Sequence, residues 1–364
     1  MPLDETTIKT IAVIGDNATR LQSHGGQSSE IKAFYEITPL AGIINRAGRE
    51  ATVTYAIGYD PHSTKPKSAG ALPSATELAD RAVAAARAAD VVVFVGGLNH
   101  DLGNDCESRD RKDLILPYRQ DELIQKIVAA NPKTIVVLEG TMVEMDAWLD
   151  RVPALLQAWY PGMEGGNALA RVLFGDVNPS GKLPATFPKR LADSPAHALG
   201  NYPGTNGTVT YAEGLLVGYR WFDTKQIEPL FPFGYGLSYT TFVYSNLKLV
   251  SGDSAGGPEV TVQFEIQNTG PRDGAEVAQV YVQQKNPSQL RPQNELKAFQ
   301  KIFLKAGEER TVSVPLDRNA FAFYDPVKKG WVAERDDFQI HVGSSSRDMR
   351  LTGNFHRAAE TFSK

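Results

Sequence analysis

The sequence predicts an α/β fold: a parallel-sheet α/β sandwich followed by an all-β antiparallel sandwich. Three observations predict it. Up to about residue 175, short apolar runs alternate with amphipathic helical stretches, the rhythm of parallel strands covered by helices on both faces. Beyond residue 242 the hydrophobic pattern turns to period two, with no helical stretch between runs. Residues 176–240, between these regions, are rich in Pro, Gly, Asn and aromatics, the composition of a long folded connection. Three segments are therefore expected: 1–190 as the α/β domain, 191–240 as a connection packed on both domains, and 241–364 as the β-sandwich.

TIAVIG at 10–15 is the first buried strand. A loop with His24-Gly25-Gly26-Gln27-Ser28-Ser29 follows, where glycines allow close backbone approach and serines supply donors. That loop serves equally as a tight turn or a ligand contact. Thr38-Pro39 opens a helix to Ala47, and ATVTYA at 51–56 is the second strand. Ser74-Ala75-Thr76-Glu77 has capping-box spacing, and Leu78, Ala82, Val83 and Ala86 stripe the helix behind it. The apolar run Val91–Val95 is the third strand, of the kind buried on both faces.

A polar loop, Gly96–Pro117, leads to a helix over Arg119–Ala130 with Leu123, Ile124, Ile127 and Val128 on one face. Thr134–Leu138 and Ala154–Trp159 are further strands, and a last helix closes at Phe174-Gly175. In the second half, strands are expected at Val260–Gln267, Val277–Gln283, Phe299–Leu304, Thr311–Leu316, Trp331–Arg335, Phe338–Val342 and Met349–Asn354. Seven short strands at that spacing describe an immunoglobulin-like sandwich. No catalytic constellation is visible in it.

The composition excludes several classes of function. With 364 residues, 42% apolar and 22% charged, the chain is long enough for two or three cored domains. A net charge of −4 is no footprint for nucleic acid or an anionic membrane. No apolar run approaches the roughly 20 residues a membrane span needs, and Met1-Pro-Leu-Asp-Glu does not resemble a signal peptide. The compartment is not readable. One cysteine, Cys106, rules out an intrachain disulfide framework. There is no phosphate loop and no zinc spacing, so neither cofactor nor metal is expected.

The dense polar constellation lies in the Gly96–Pro117 loop: Asp101, Asp105, Glu107, Arg109, Asp110 and Arg111. In a parallel sheet that loop leaves the carboxyl end of its strand, where such folds place ligands. As a calcium loop, D-x-x-x-D-x-E lacks the glycine and is interleaved with cations. As a thiol site, Cys106 has no histidine near it in sequence. A carboxylic acid on a loop, donating a proton to a leaving oxygen, fits the composition, with Glu107 the best candidate. From composition alone, a solvated, salt-bridged loop is the simpler reading.

The motifs tip that balance. Glu107-Ser-Arg-Asp110-Arg111 with Leu114-Ile-Leu-Pro117 downstream resembles the acid/base loop of glycoside hydrolase family 3. The other segments agree in order: Gly25-Gly26-Gln27-Ser28-Ser29 with Thr38-Pro39-Leu40, Trp159–Gly166, Leu173–Pro188, Glu213–Arg220, Pro232–Tyr239 and Gly274–Val282. The resemblance implies an α/β-sandwich domain followed by a fibronectin type III-like domain. It implies Glu107 as general acid/base, with Asp110, Arg111, Gly26, Ser28 and Ser29 ordering the loop or touching substrate. The family often has glycine where this chain has Ser108, and Asp105 is a rival for the acid role.

The resemblance further implies a (β/α)₈ barrel of about 250 residues that carries the aspartate nucleophile and most sugar contacts. Met1 stands almost directly before the first strand, and no serine-aspartate-tryptophan segment is present; Trp221-Phe222-Asp223 does not match it. The expectation is therefore the C-terminal portion of a β-glucosidase or β-xylosidase type enzyme, inactive alone. Its partners would be a β-linked oligosaccharide or aryl β-glycoside and a barrel on another chain or in a missing N-terminal part. The alternative is a non-catalytic module of that family that binds carbohydrate or protein.

Overall fold

The computed structural model describes residues 2–61, 73–101, 104–107, 109–252, 258–357 and 360–362. The chain divides into two compact units, Met1–Val177 and Asn178–Lys364. The aromatic segment 191–240, read from sequence as a separate connection, is grouped with the second unit.

The first unit is built on five parallel strands: β1 (Thr10–Ile14), β2 (Thr52–Ala56), β3 (Val91–Gly97), β4 (Thr134–Glu139) and β5 (Ala154–Trp159). Their order is β2-β1-β3-β4-β5, so the chain reverses direction of travel across the sheet between β1 and β3. In such sheets this switch point opens a crevice at the carboxyl edge. The apolar runs are continuous because β1, β3 and β4 are covered on both faces.

Helices α1 (Pro39–Ala47) and α4 (Gly165–Phe174) bury Ile43, Ala47, Leu169, Leu173 and Phe174 against Ile11, Val13, Val93 and Val137. On the opposite face, Ile14 of β1 converges around Gly58 with Ala82 of α2 (Ala75–Ala88) and Leu123 of α3 (Gln120–Ala130). The predicted starts hold locally: the Thr38 hydroxyl accepts from Ala41 N–H and the Ser74 hydroxyl from Glu77 N–H. Gly175, in left-handed conformation, ends α4. The expected helix at 119–130 begins instead with a single 3₁₀ turn, Pro117–Arg119, in which Tyr118 and Arg119 have positive φ.

The second unit begins with two short helices, α5 (Pro195–Ala198) and α6 (Tyr219–Thr224). Leu216, Trp221 and Phe222 of this segment form their own cluster with Ile227, and Tyr219 stacks on Phe233 at 4.7 Å. The sandwich follows in two antiparallel sheets. One joins β10 (Glu309–Leu316), β7 (Val260–Asn268) and β6 (Phe242–Ser251). The other joins β14 (Met349–Arg357), β13 (Asp336–Gly343), β8 (Gly274–Gln284) and β9 (Glu295–Leu304). Alternate residues, Val260, Val262, Phe264 and Ile266 from β7 and Phe338, Ile340 and Val342 from β13, meet in one core. A small third sheet holds β11 (Phe323–Asp325), β12 (Gly330–Ala333) and β15 (Glu360–Phe362). The expected strands do not include β6, β11 or β15, and a 3₁₀ turn at Arg318–Ala320 lies between β10 and β11, where no helical stretch is expected.

Candidate active site

The polar loop leaves β3, the central strand, at its carboxyl end. Gln120, fully buried at the start of α3, clamps the exit: its side-chain oxygen accepts from Gly97 N–H and its amide donates to Gly97 O, both at 2.8 Å. Gly97 has φ +110, and a Cβ there would lie 2.1 Å from the Glu139 carbonyl, so no other residue fits this turn.

The first part of the loop is stapled by polar side chains. The buried Asn99 oxygen accepts from Asp101 N–H and Asn104 Nδ2, each at 2.9 Å. Tyr118 hydroxyl donates to Asp101, which also pairs with Arg20 at 3.0 Å. Asp101 is thereby committed to architecture.

Asp105 is half-buried. Its Oδ2 accepts from the Tyr160 hydroxyl at 2.9 Å, and its backbone oxygen lies 3.1 Å from His100 Nδ1. His100 stacks on Tyr160, ring centroids 4.2 Å apart. Burial, reinforced by the Asp105 charge, pushes the Tyr160 hydroxyl far above its ordinary range. Arg111 donates to the Met142 carbonyl at 2.8 Å, keeps Nη2 buried without a partner, and is lowered by that burial despite Asp105 nearby. Asp105 is thus a tethered base for the loop and Arg111 a strut beneath it. Asp110 is exposed.

Glu107 stands at the tip. Cys106 and Arg109 pair through a single antiparallel bridge, which turns the backbone at Glu107 and leaves its side chain exposed. Ser108 lies outside the described residues. The Glu107 carboxylate accepts from the Ser28 hydroxyl and from Ser28 N–H, the latter at 3.1 Å. Those two donors, the hydroxyl first, hold it below the usual glutamate range.

The glycine–serine loop and the acidic loop therefore meet. Ser28 lies in a 3₁₀ turn, Gln27–Ser29, behind Gly26 at φ +77. A Cβ on Gly26 would fall 2.2 Å from Ser29 Oγ and 2.8 Å from His100 Nδ1. Gly26 is what lets the two loops approach. Ser29 does not bond Glu107; its hydroxyl donates back to Gly26 O at 3.1 Å.

Sequence reasoning did not single out His100, Gln22 or Glu139. Glu139 is the last residue of β4 and only 1% exposed. A charged residue ending a doubly buried strand was the available signal. Among the described residues, no group of three or more His, Cys, Asp or Glu side chains could hold a metal ion.

A parallel α/β unit that projects one exposed, doubly hydrogen-bonded carboxylate from its central strand's carboxyl end, followed by an antiparallel sandwich, defines the class. Residues 1–239 match the Glycosyl hydrolase family 3 C-terminal domain, and residues 276–346 the Fibronectin type III-like domain. The chain belongs to glycosyl hydrolase family 3.

It is 42% identical over 360 residues to the β-glucosidase BoGH3A of Bacteroides ovatus, covering 98% of this chain and 48% of that protein. It is 37% identical to an exo-α-(1→6)-L-arabinopyranosidase of Bifidobacterium breve, covering 94% of this chain and 43% of the relative. The crystal structure of the Bifidobacterium adolescentis family 3 β-glucosidase superposes with a TM-score of 0.86 at 35% identity, covering 98% of this chain and 50% of that one. The chain spans about half the length of the curated relatives it matches.

Proposed function

We propose that this chain is the C-terminal portion of a retaining β-glycosidase, a β-glucosidase first and a β-xylosidase next, in which Glu107 is the general acid/base. The observation that carries the reading is the placement of Glu107: exposed at a loop tip beyond the sheet's carboxyl edge, its turn set by the Cys106–Arg109 bridge and its carboxylate held by Ser28. The similarity to β-glucosidases about twice as long supports it.

Retaining hydrolysis needs two carboxylates about 5–5.5 Å apart across one glycosidic bond. In this reading the second is an aspartate on a (β/α)₈ barrel outside this chain. It attacks the anomeric carbon while Glu107 gives its proton to the departing oxygen. Glu107, now a carboxylate, then takes a proton from the water that displaces the enzyme aspartate. The first step requires protonated Glu107, whereas the Ser28 donors favour the ionised form. Closure of a barrel and a sugar over the tip supplies the missing push, because removal of water raises a carboxyl pKa. A β-linked oligosaccharide or aryl β-glycoside is the substrate class; the sugar is read by residues outside this chain.

The test is reconstitution. This chain alone releases no aglycone from an aryl β-glucoside. Joined to the N-terminal half of the B. ovatus relative it does, and Glu107→Ala lowers the rate by about 10²–10⁴-fold. Wild-type turnover in the reconstituted Glu107→Ala protein removes the assignment.

One observation favours the second reading, a carbohydrate-binding module. A cleft in the second unit is lined by Trp331, Tyr324, Phe323, Arg220 and Glu295, aromatic and polar groups of the kind that hold sugar rings. Calorimetry of this chain with cellobiose and xylobiose decides it: saturable heat abolished by Trp331→Ala supports the module.

A further inference from the structure

Beneath the Ser28–Glu107 contact lies a polar cluster that the proposed chemistry does not use. Glu139 ends β4 opposite a register shift in β5, where Trp159 has φ +56. It is 1% exposed. One carboxyl oxygen, Oε2, accepts from the Gln22 side-chain amide. The other, Oε1, is buried with no partner. Among the described residues no ion pair to Glu139 is present: Arg20, whose charge acts on the group, is bonded to Asp16 and Asp101. A buried carboxylate without a counter-ion is among the costliest arrangements a fold can hold.

Asn17, also fully buried, donates its amide nitrogen to Leu98 O at 2.8 Å and to Gly96 O at 3.2 Å. With Glu139 Oε1 given no hydrogen-bond donor, a proton carried on the carboxyl removes the buried charge.

We infer that Glu139 is carried as a neutral carboxylic acid, and that this neutral group, through its bond from Gln22, positions the Gln22–Ser29 segment presenting Ser28 to Glu107. Asn17 ties the carboxyl ends of β1 and β3 together, and Gln22 ties Glu139 to the loop. Gln22 and Ser23 also donate to Glu36. The groups facing Glu139 are Glu36 from the segment before α1, Arg20 from the segment after β1, and Tyr160 from the segment after β5. Burial, with Glu36 adding to it, is consistent with a carboxyl raised to about 8. An ionised Glu139 repels Glu36, which holds the Gln22 and Ser23 N–H groups, so the loop loosens as pH rises through that value. The link to catalysis rests on the proposed role of Glu107; the protonation of Glu139 does not.

The sign follows from linkage. An unfolded glutamate titrates near 4.3, so between about 4.3 and about 8 the folded chain holds a proton the unfolded chain has lost. The Glu139 contribution to stability is complete below the lower value and falls as pH rises through the window. Glutamine at 139 reproduces the neutral acid, its oxygen accepting from Gln22.

The experiment uses this chain alone and needs no activity assay, so its failure is separate from failure of the glycosidase reading. Infrared spectra at pH 7 are expected to show a protonated carboxylic C=O band that Glu139→Gln lacks. The melting temperature of Glu139→Gln matches wild type at pH 4, below the unfolded value, and exceeds it at pH 9, while Glu139→Ala is destabilised at both. The Ser28 amide resonance titrates near pH 8 in wild type and is flat in Glu139→Gln. A wild-type spectrum without that band, or Glu139→Gln less stable than wild type at pH 9, overturns the protonation. A Ser28 resonance indifferent to pH around 8 overturns the positioning.

Discussion

At the scale of single residues, the behaviour of Glu107 is governed by Ser28. The hydroxyl and N–H of Ser28 stabilise the charged carboxylate, so Ser28→Ala is expected to move Glu107 titration upward, towards the ordinary glutamate range. The wild-type interaction is present above the unfolded glutamate value and is lost as pH falls through the depressed one. Carbon-13 NMR of the side-chain carboxyl reads this directly, and an unchanged Glu107 titration in Ser28→Ala refutes it. Gly26→Ala places a side chain at φ +77 against Ser29 and His100. A loss of about 1–3 kcal/mol in chemical denaturation is expected.

The sequence named Glu107, Ser28 and Gly26 through motif resemblance, but their contact spans 79 positions and no local pattern encodes it. Asp105 was named as a rival acid. Its carboxylate instead accepts the Tyr160 hydroxyl, from a residue 55 positions away. Glu139 was illegible because a charge at the end of an apolar run reads as the point where a strand meets water. Its burial comes with Gln22, a residue 117 positions away in the chain.

At the scale of elements, doubly buried parallel strands were legible because each is a run of apolar residues bounded by Gly, Asp or Asn. The caps at Thr38, Ser74 and Gly175 were legible because a hydroxyl or a glycine at those positions has a local mechanism. What failed were elements whose alternation is broken. Strand β6 carries a register shift between Ser245 and Lys248, with Asn246 at φ +55, which resets its period-two pattern midway. Strand β11 is three residues long, too short for alternation to register.

Gln120 sits where element and site meet, since it clamps the exit of β3. Gln120→Ala leaves Gly97 N–H and C=O buried and unpaired, and a cost of about 1–3 kcal/mol for each is expected in denaturant titration. A change below about 0.5 kcal/mol contradicts the clamp. In the second unit, Phe338 is fully buried and packs edge-on to Phe321 at 5.1 Å. Phe338→Ala is expected to destabilise by about 3–5 kcal/mol, read by the same titration.

At the scale of the molecule, the order of the two units was legible from the change in hydrophobic period, from helical repeats to strict alternation. The division at Val177 was not, because residues 178–240 carry neither period. Their aromatics, Trp221, Phe222, Tyr219 and Phe233, find partners within the second unit. On the proposed reading, this chain supplies one half of a two-carboxylate reaction, and that division of labour is the central claim.

Leaving-group dependence in the barrel-completed enzyme tests the claim most directly. Glu107→Ala and wild type are compared on an alkyl β-glucoside, whose departing oxygen needs a proton, and on a 2,4-dinitrophenyl β-glucoside, whose departing oxygen does not. For the first, glycosylation step, kcat/KM is predicted to fall at least about 10²-fold on the alkyl substrate and to stay close to wild type on the dinitrophenyl one. An equal loss on both substrates, or no loss on either, contradicts a proton-donating role for Glu107.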